Sequence, residues 1–159
     1  QLSQDLAFQP VTQRGKPWPA LPKMTKENPV NPDPLYPKNL GYRFRGYSLD
    51  DHGVPTFSYE FGKLAVEDFS LPRPLPDAHL LRRTLRITSP AREGLLFRAL
   101  VGKIEREKEG VFVTPELRLS ILDGQPRLRD GLDGNHELII ELSLKKGKSE
   151  FVLDYEALR

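Results

Sequence analysis

Tyr42-Arg-Phe-Arg-Gly-Tyr-Ser-Leu-Asp-Asp-His-Gly-Val-Pro-Thr-Phe-Ser-Tyr-Glu-Phe-Gly-Lys-Leu-Ala-Val-Glu-Asp-Phe69 is the stretch that decides how the chain folds. Phe57, Tyr59 and Phe61 recur with period two, which puts them on one face of a pleated strand and Thr56, Ser58 and Glu60 on the other. Ahead of them, Asp50, Asp51, His52, Gly53 and Pro55 spell a turn: Asp side chains bond the local backbone, Gly accepts positive φ and Pro cannot join a ladder. Gly62-Lys63 is a second turn, and its leading Gly suits a type II′ hairpin. Three short strands joined by two tight turns make a β-meander.

The same grammar continues towards the C-terminus. Leu71-Pro-Arg-Pro-Leu-Pro76 reads as a connection that carries the chain across an edge or from one sheet to another. Residues 79–88 alternate, with Leu81, Leu85 and Ile87 on one side and Arg82, Thr84 and Arg86 on the other, while Arg83 breaks the apolar side. Residues 95–101 form a nearly continuous apolar run, expected as a central strand, with Arg98 inside it. The charged segment 103–109 is read as a solvated loop before Val111-Phe-Val113. Leu117, Leu119 and Ile121 then alternate with Arg118 and Ser120. Asp123-Gly124, Asp130-Gly131 and Asp133-Gly134 are turn dipeptides around a short Arg-Leu-Arg strand. Residues 136–144 place Leu138, Ile140, Leu142 and Leu144 inside, Lys145-Lys-Gly147 turns, and 149–155 return with Phe151, Leu153 and Tyr155 aligned, so that 136–155 is expected as a terminal hairpin.

Towards the N-terminus the texture changes. Residues 1–40 hold eight of the fifteen prolines and one glycine. Proline fixes φ and denies the preceding residue the α region, so this is an extended arm biased to polyproline II. It is either a linker or a strap that docks through Phe8, Trp18, Leu21, Leu35 and Tyr36. Residues 41–159, with about nine or ten strands and no amphipathic helix, form one all-β domain, an antiparallel β-sandwich or an open barrel.

Composition bounds what such a domain does. With 159 residues it can bury roughly 70% of its unfolded surface around a single core. No run approaches the ~20 apolar residues of a membrane span. The arm carries five Lys/Arg against three Asp/Glu and the rest nineteen of each, so the body is neutral and no nucleic-acid partner is expected. Cysteine is absent, which removes disulfides, thiolate chemistry, cysteine-ligated zinc and covalent c-type haem from these residues. Gln1 fits a mature N-terminus left by signal cleavage as well as a fragment boundary.

Gly41–Asp50, Gly53–Phe61, Val66–Phe69, Leu81–Leu85 and Leu96–Gly102 together resemble a β-rich domain of large exported bacterial proteins. There it stands beside propellers similar to sorbosone or glucose dehydrogenases and beside c-type cytochrome domains. The resemblance spans about residues 41–155 and implies a context, not a catalytic motif: a periplasmic or secreted accessory module with a propeller dehydrogenase or a cytochrome as protein partner.

Candidate chemistry is sparse. His52, His79, His136 and Met24 lack the spacing of a helical or strand ligand set, and the Asp-Gly cluster lacks that of an EF-hand loop, so neither a metal nor another cofactor is expected. Catalysis would draw on Glu60, Glu67, Asp68 or Glu141 as acid and base, on His52 or His136 as relay, and on Arg98 or Arg45 to steady an anion, as in aldose-epimerase-like sandwiches. Carbohydrate binding would use Trp18, Tyr42, Tyr47 or Tyr59 as stacking platforms. Trp18, Tyr36, Tyr47, His52 and Arg98 are the candidate binding residues, and Arg98, if buried, requires a carboxylate.

Overall fold

The computed structural model describes residues 8–15, 42–75 and 78–158. Trp18, Leu21, Leu35 and Tyr36 lie outside them. Among the described residues the chain is all-β, two antiparallel sheets packed as a sandwich with no closed barrel.

The strands are β1 (Phe8–Pro10), β2 (Tyr42–Leu49), β3 (Pro55–Phe61), β4 (Leu64–Leu75), β5 (Ala78–Ser89) and β6 (Glu93–Gly102). They are followed by β7 (Glu105–Lys108), β8 (Val111–Val113), β9 (Leu117–Ile121), β10 (Gln125–Asp130), β11 (His136–Leu144) and β12 (Gly147–Ala157). A four-stranded sheet runs β1-β6-β11-β10, and an eight-stranded sheet runs β2-β3-β4-β5-β12-β9-β8-β7. Phe97, Leu138, Ile140, Leu142 and Leu144 of the small sheet meet Val66, Leu85, Ile87, Leu119 and Leu153 of the large one, all of them buried. Each such side chain contributes about 1.5–3 kcal/mol by leaving water, which is where the period-two pattern gets its force.

The meander forms as expected. β3 pairs with β2 and β4, and Gly62 adopts the positive φ of 60° that the hairpin turn needs. β6 lies between β1 and β11, an interior strand of its sheet.

Three expectations are corrected. Strands β11 and β12 do not form a hairpin; the chain changes sheets at Lys145-Lys146, and β12 pairs with β5 and β9. Their apolar faces look at each other across the core instead of lying side by side, an arrangement that period two permits equally well. The proline-rich stretch is not a crossover but the end of β4, hydrogen-bonded to β5 as far as Leu75↔Ala78. β3 reaches only Phe69 along β4, so among the described residues no strand flanks Pro72 and Pro74 on that side to need their missing N–H. Finally, Glu105–Lys108 is an edge strand rather than a loop, its four charged side chains all exposed. Charge at a strand edge keeps other chains from pairing there, and in composition it mimics a loop.

The arm's described part belongs to the sandwich. Phe8–Pro10 pairs with Leu95–Phe97. The buried Phe8 ring packs at 6.1, 6.0 and 5.5 Å from those of Tyr59, Phe61 and Phe97.

Candidate interaction surface

The small sheet ends at β1, over β3, and the large sheet continues one strand further. Among the described residues β2 therefore presents its inner face with nothing from the small sheet above it. Its sequence alone does not favour a single apolar face, because Phe44 and Tyr47 are three residues apart and a regular strand sends them to opposite sides. A bulge resolves this. The register with β3 shifts between Phe44 and Gly46, so that Phe44 lies opposite Tyr59 and Tyr47 opposite Phe57, all on one face. Gly46 carries the φ of 119° that the irregularity demands and that other residues adopt only with strain.

The result is a ledge of exposed apolar side chains. Phe44 is 57% exposed, Tyr47 64%, Leu49 60% and Phe57 44%. Tyr47 and Phe57 pack with ring centroids 6.1 Å apart and planes tilted by 48°. On the opposite face of the same strand are Arg43 and Arg45; the Arg45 guanidinium meets Glu60 at 3.1 Å. His52 stands in the turn between β2 and β3. Its backbone N–H and that of Val54 donate to Asp50 Oδ1 at 2.9 and 2.8 Å. The Val54 bond is the main cause that holds the Asp50 carboxyl below its ordinary pKa, against desolvation and with help from His52.

The structure thus brings Tyr47 and His52 to the same end of one hairpin and places Arg98 elsewhere. Arg98 is on the outer face of the small sheet, where it donates to buried Glu137 at 3.1 Å. Arg129 reaches the same carboxylate at 2.8 Å, and also Gln9 Oε1 at 3.0 Å and the Arg14 carbonyl at 3.2 Å. Arg14 grips Glu141 with two bonds of 2.9 and 2.6 Å, a pairing that lowers the pKa of Glu141. The carboxylate that Arg98 required is Glu137, and this group of charges fastens β1 and the 3-10 turn Val11–Gln13 to the small sheet.

The other carboxylates offered as acid or base are held by arginines. Glu60 pairs with Arg45, Glu67 with Arg86, and Asp68 with Arg83 in the interior. Tyr59 Oη adds a bond to Asp68 at 3.1 Å. The three histidines open or precede different strands, and no group of three or more His, Asp or Glu gathers at metal-binding distance among the described residues. Asp123 of the Asp-Gly cluster caps a neighbouring strand by accepting from the Val152 N–H at 3.1 Å.

Sequence reasoning singled out Tyr47 but missed Phe44, Leu49 and Phe57 as its companions on the surface. The available signal was Gly46, an isolated glycine within a strand pattern, which marks a bulge and a change of parity. No family model matches the chain, and no curated protein matches it either.

Proposed function

We propose that the chain is a non-catalytic accessory module that assembles with a protein partner in an exported bacterial sugar-oxidation or electron-transfer system, and that the β2–β3 ledge is the surface it uses. The observation that carries this reading is the ledge itself. Four large apolar side chains gather on one overhanging face, where solvation costs free energy that a partner would relieve. Burying the exposed half of Phe44, Tyr47 and Phe57 is worth roughly 1–1.5 kcal/mol each before the cost of association. The exported context and the partner class, a propeller dehydrogenase or a cytochrome, come from the resemblance of residues 41–155 and make the module periplasmic or secreted.

Carbohydrate binding is the second reading, favoured by the exposed Tyr47 ring. A sugar platform also needs polar groups free to take hydroxyls beside the ring. On its own face Tyr47 stands instead with Phe44, Leu49 and Phe57, which offer no such groups.

The test is titration calorimetry of the purified chain against a purified propeller dehydrogenase or c-type cytochrome encoded beside it. Binding that Tyr47→Ser weakens about tenfold or more, the loss of one central aromatic anchor, is the expected result. Failure to bind either partner, together with a glycan-array signal lost in Tyr47→Ser, would transfer the surface to carbohydrate recognition.

A further inference from the structure

The large sheet has two edges of unlike chemistry. β7 is four residues long, wholly charged and irregular in its pairing between Arg106 and Lys108. β2 is eight residues long, pairs among the described residues with β3 on one side only, and carries exposed Phe44, Tyr47 and Leu49 on one face and Arg43 and Arg45 on the other. An open strand edge presents alternating N–H and C=O groups, and what satisfies them is another strand.

We propose that β2 accepts one more strand, an extended acidic segment of a partner protein. Its backbone pairs with the open edge of β2. Its apolar side chains lie beside Phe44, Tyr47 and Leu49, and its alternate carboxylates face Arg43 and Arg45. The inference rests on the assembly reading above and specifies how that surface binds. Charge selects the occupant: Glu60 answers the two arginines with one carboxylate, which leaves this face of the edge basic. A second copy fits less well. In a full-length antiparallel pairing of β2 with itself, Tyr42 meets Leu49 and Arg45 meets Gly46. The two bulges then coincide and both Arg45 guanidiniums lie within a residue of the dyad, where like charges repel.

The experiment uses the full chain and a synthetic octapeptide alternating Glu with Val, followed by fluorescence anisotropy and by amide exchange of residues 42–49. Two further versions carry N-methyl groups on the Glu residues or on the Val residues, and a Lys-Val octapeptide reverses the charge. The parent peptide is expected to bind and to slow exchange along β2. Only the N-methylated version whose blocked amides face β2 loses affinity, by on the order of tenfold or more for the few hydrogen bonds removed. The Lys-Val peptide binds more weakly, Arg43→Glu removes that preference, and Tyr47→Lys abolishes binding. Equal affinity of the two methylated versions overturns the proposal, because apolar contact alone would then account for binding. It is also overturned if the amides of residues 42–49 that face away from β3 are already protected without peptide, or if the chain sediments as a dimer that Tyr47→Lys dissociates. If peptide binding fails these criteria while the partner protein still depends on Tyr47, strand addition is wrong and the assembly reading stands. If the partner protein does not bind either, both fall.

Discussion

Arg83 shows at the level of one residue how this sandwich tolerates charge inside. It sits on the inward side of β5 with Leu85 and Ile87, and its guanidinium lies 5.2 Å from the centre of the Phe97 ring. Burial opposes its charge most strongly, yet the hydrogen bonds and charge of Asp68 overcome this and hold its pKa above the ordinary value. The pair is well made, with Arg83 Nε donating to Asp68 Oδ1 at 2.9 Å and Tyr59 Oη adding to the other oxygen. A buried pair of this kind contributes little net stability but makes the loss of either partner costly. Asp68→Ala should therefore lower the unfolding free energy by about 3 kcal/mol or more, and the double change Arg83→Met with Asp68→Leu should recover most of that loss. Urea unfolding at neutral pH measures both. A double variant no more stable than Asp68→Ala would show that the pair, not the avoidance of a lone charge, holds these strands.

Among elements, β1 is one whose attachment depends on pH. Three residues of pairing and one buried ring are supplemented by the Arg14–Glu141 clasp. The hydrogen bond from Arg14 is the main cause of the lowered pKa of Glu141. Its contribution is thus complete above the ordinary carboxylate value of about 4.3 and is lost as pH falls through the lowered one. Amide protection factors for residues 8–14 should fall on acidification through that window in the wild type. In Glu141→Gln they should be lower at pH 7 and change little over the same window. Equal protection of the two proteins at pH 7 would count against the clasp. The elements also show what could be read from sequence and what could not. Leu119, Leu138 and Ile140 announced the face each strand buries, because burial acts on every second residue. Nothing local announces a strand's neighbour, so β11 and β12 looked like a hairpin although they belong to different sheets. The charged β7 looked like a loop because its strand character lies in backbone pairing alone. Arg98 declared its need for a carboxylate, but Glu137 is 39 residues away and is selected by the β6–β11 register. Tyr47 was legible as an aromatic; its exposure was not, since that depends on where the small sheet stops.

At the scale of the molecule, the decisive feature is the mismatch between four strands and eight among the described residues. Two sheets of equal width would bury both inner faces, whereas here β2 overhangs with Phe44, Tyr47, Leu49 and Phe57 in solvent. The outer face of the small sheet, by contrast, is closed over by Arg14, Arg129 and their carboxylate and backbone partners, and the far edge of the large sheet is guarded by charge. Leu71, Leu81, Leu122, Leu128 and Leu132 are also exposed, but the ledge is where four large apolar side chains stand side by side on paired strands. Hydrogen–deuterium exchange across the whole chain, with and without a purified dehydrogenase or cytochrome partner, tests this most directly. New protection concentrated in residues 42–58, with β7, β8 and the Arg98–Glu141 face unchanged, is the predicted result. Protection at β7 and β8 or at the outer face of the small sheet, with β2 exchanging as before, would contradict it.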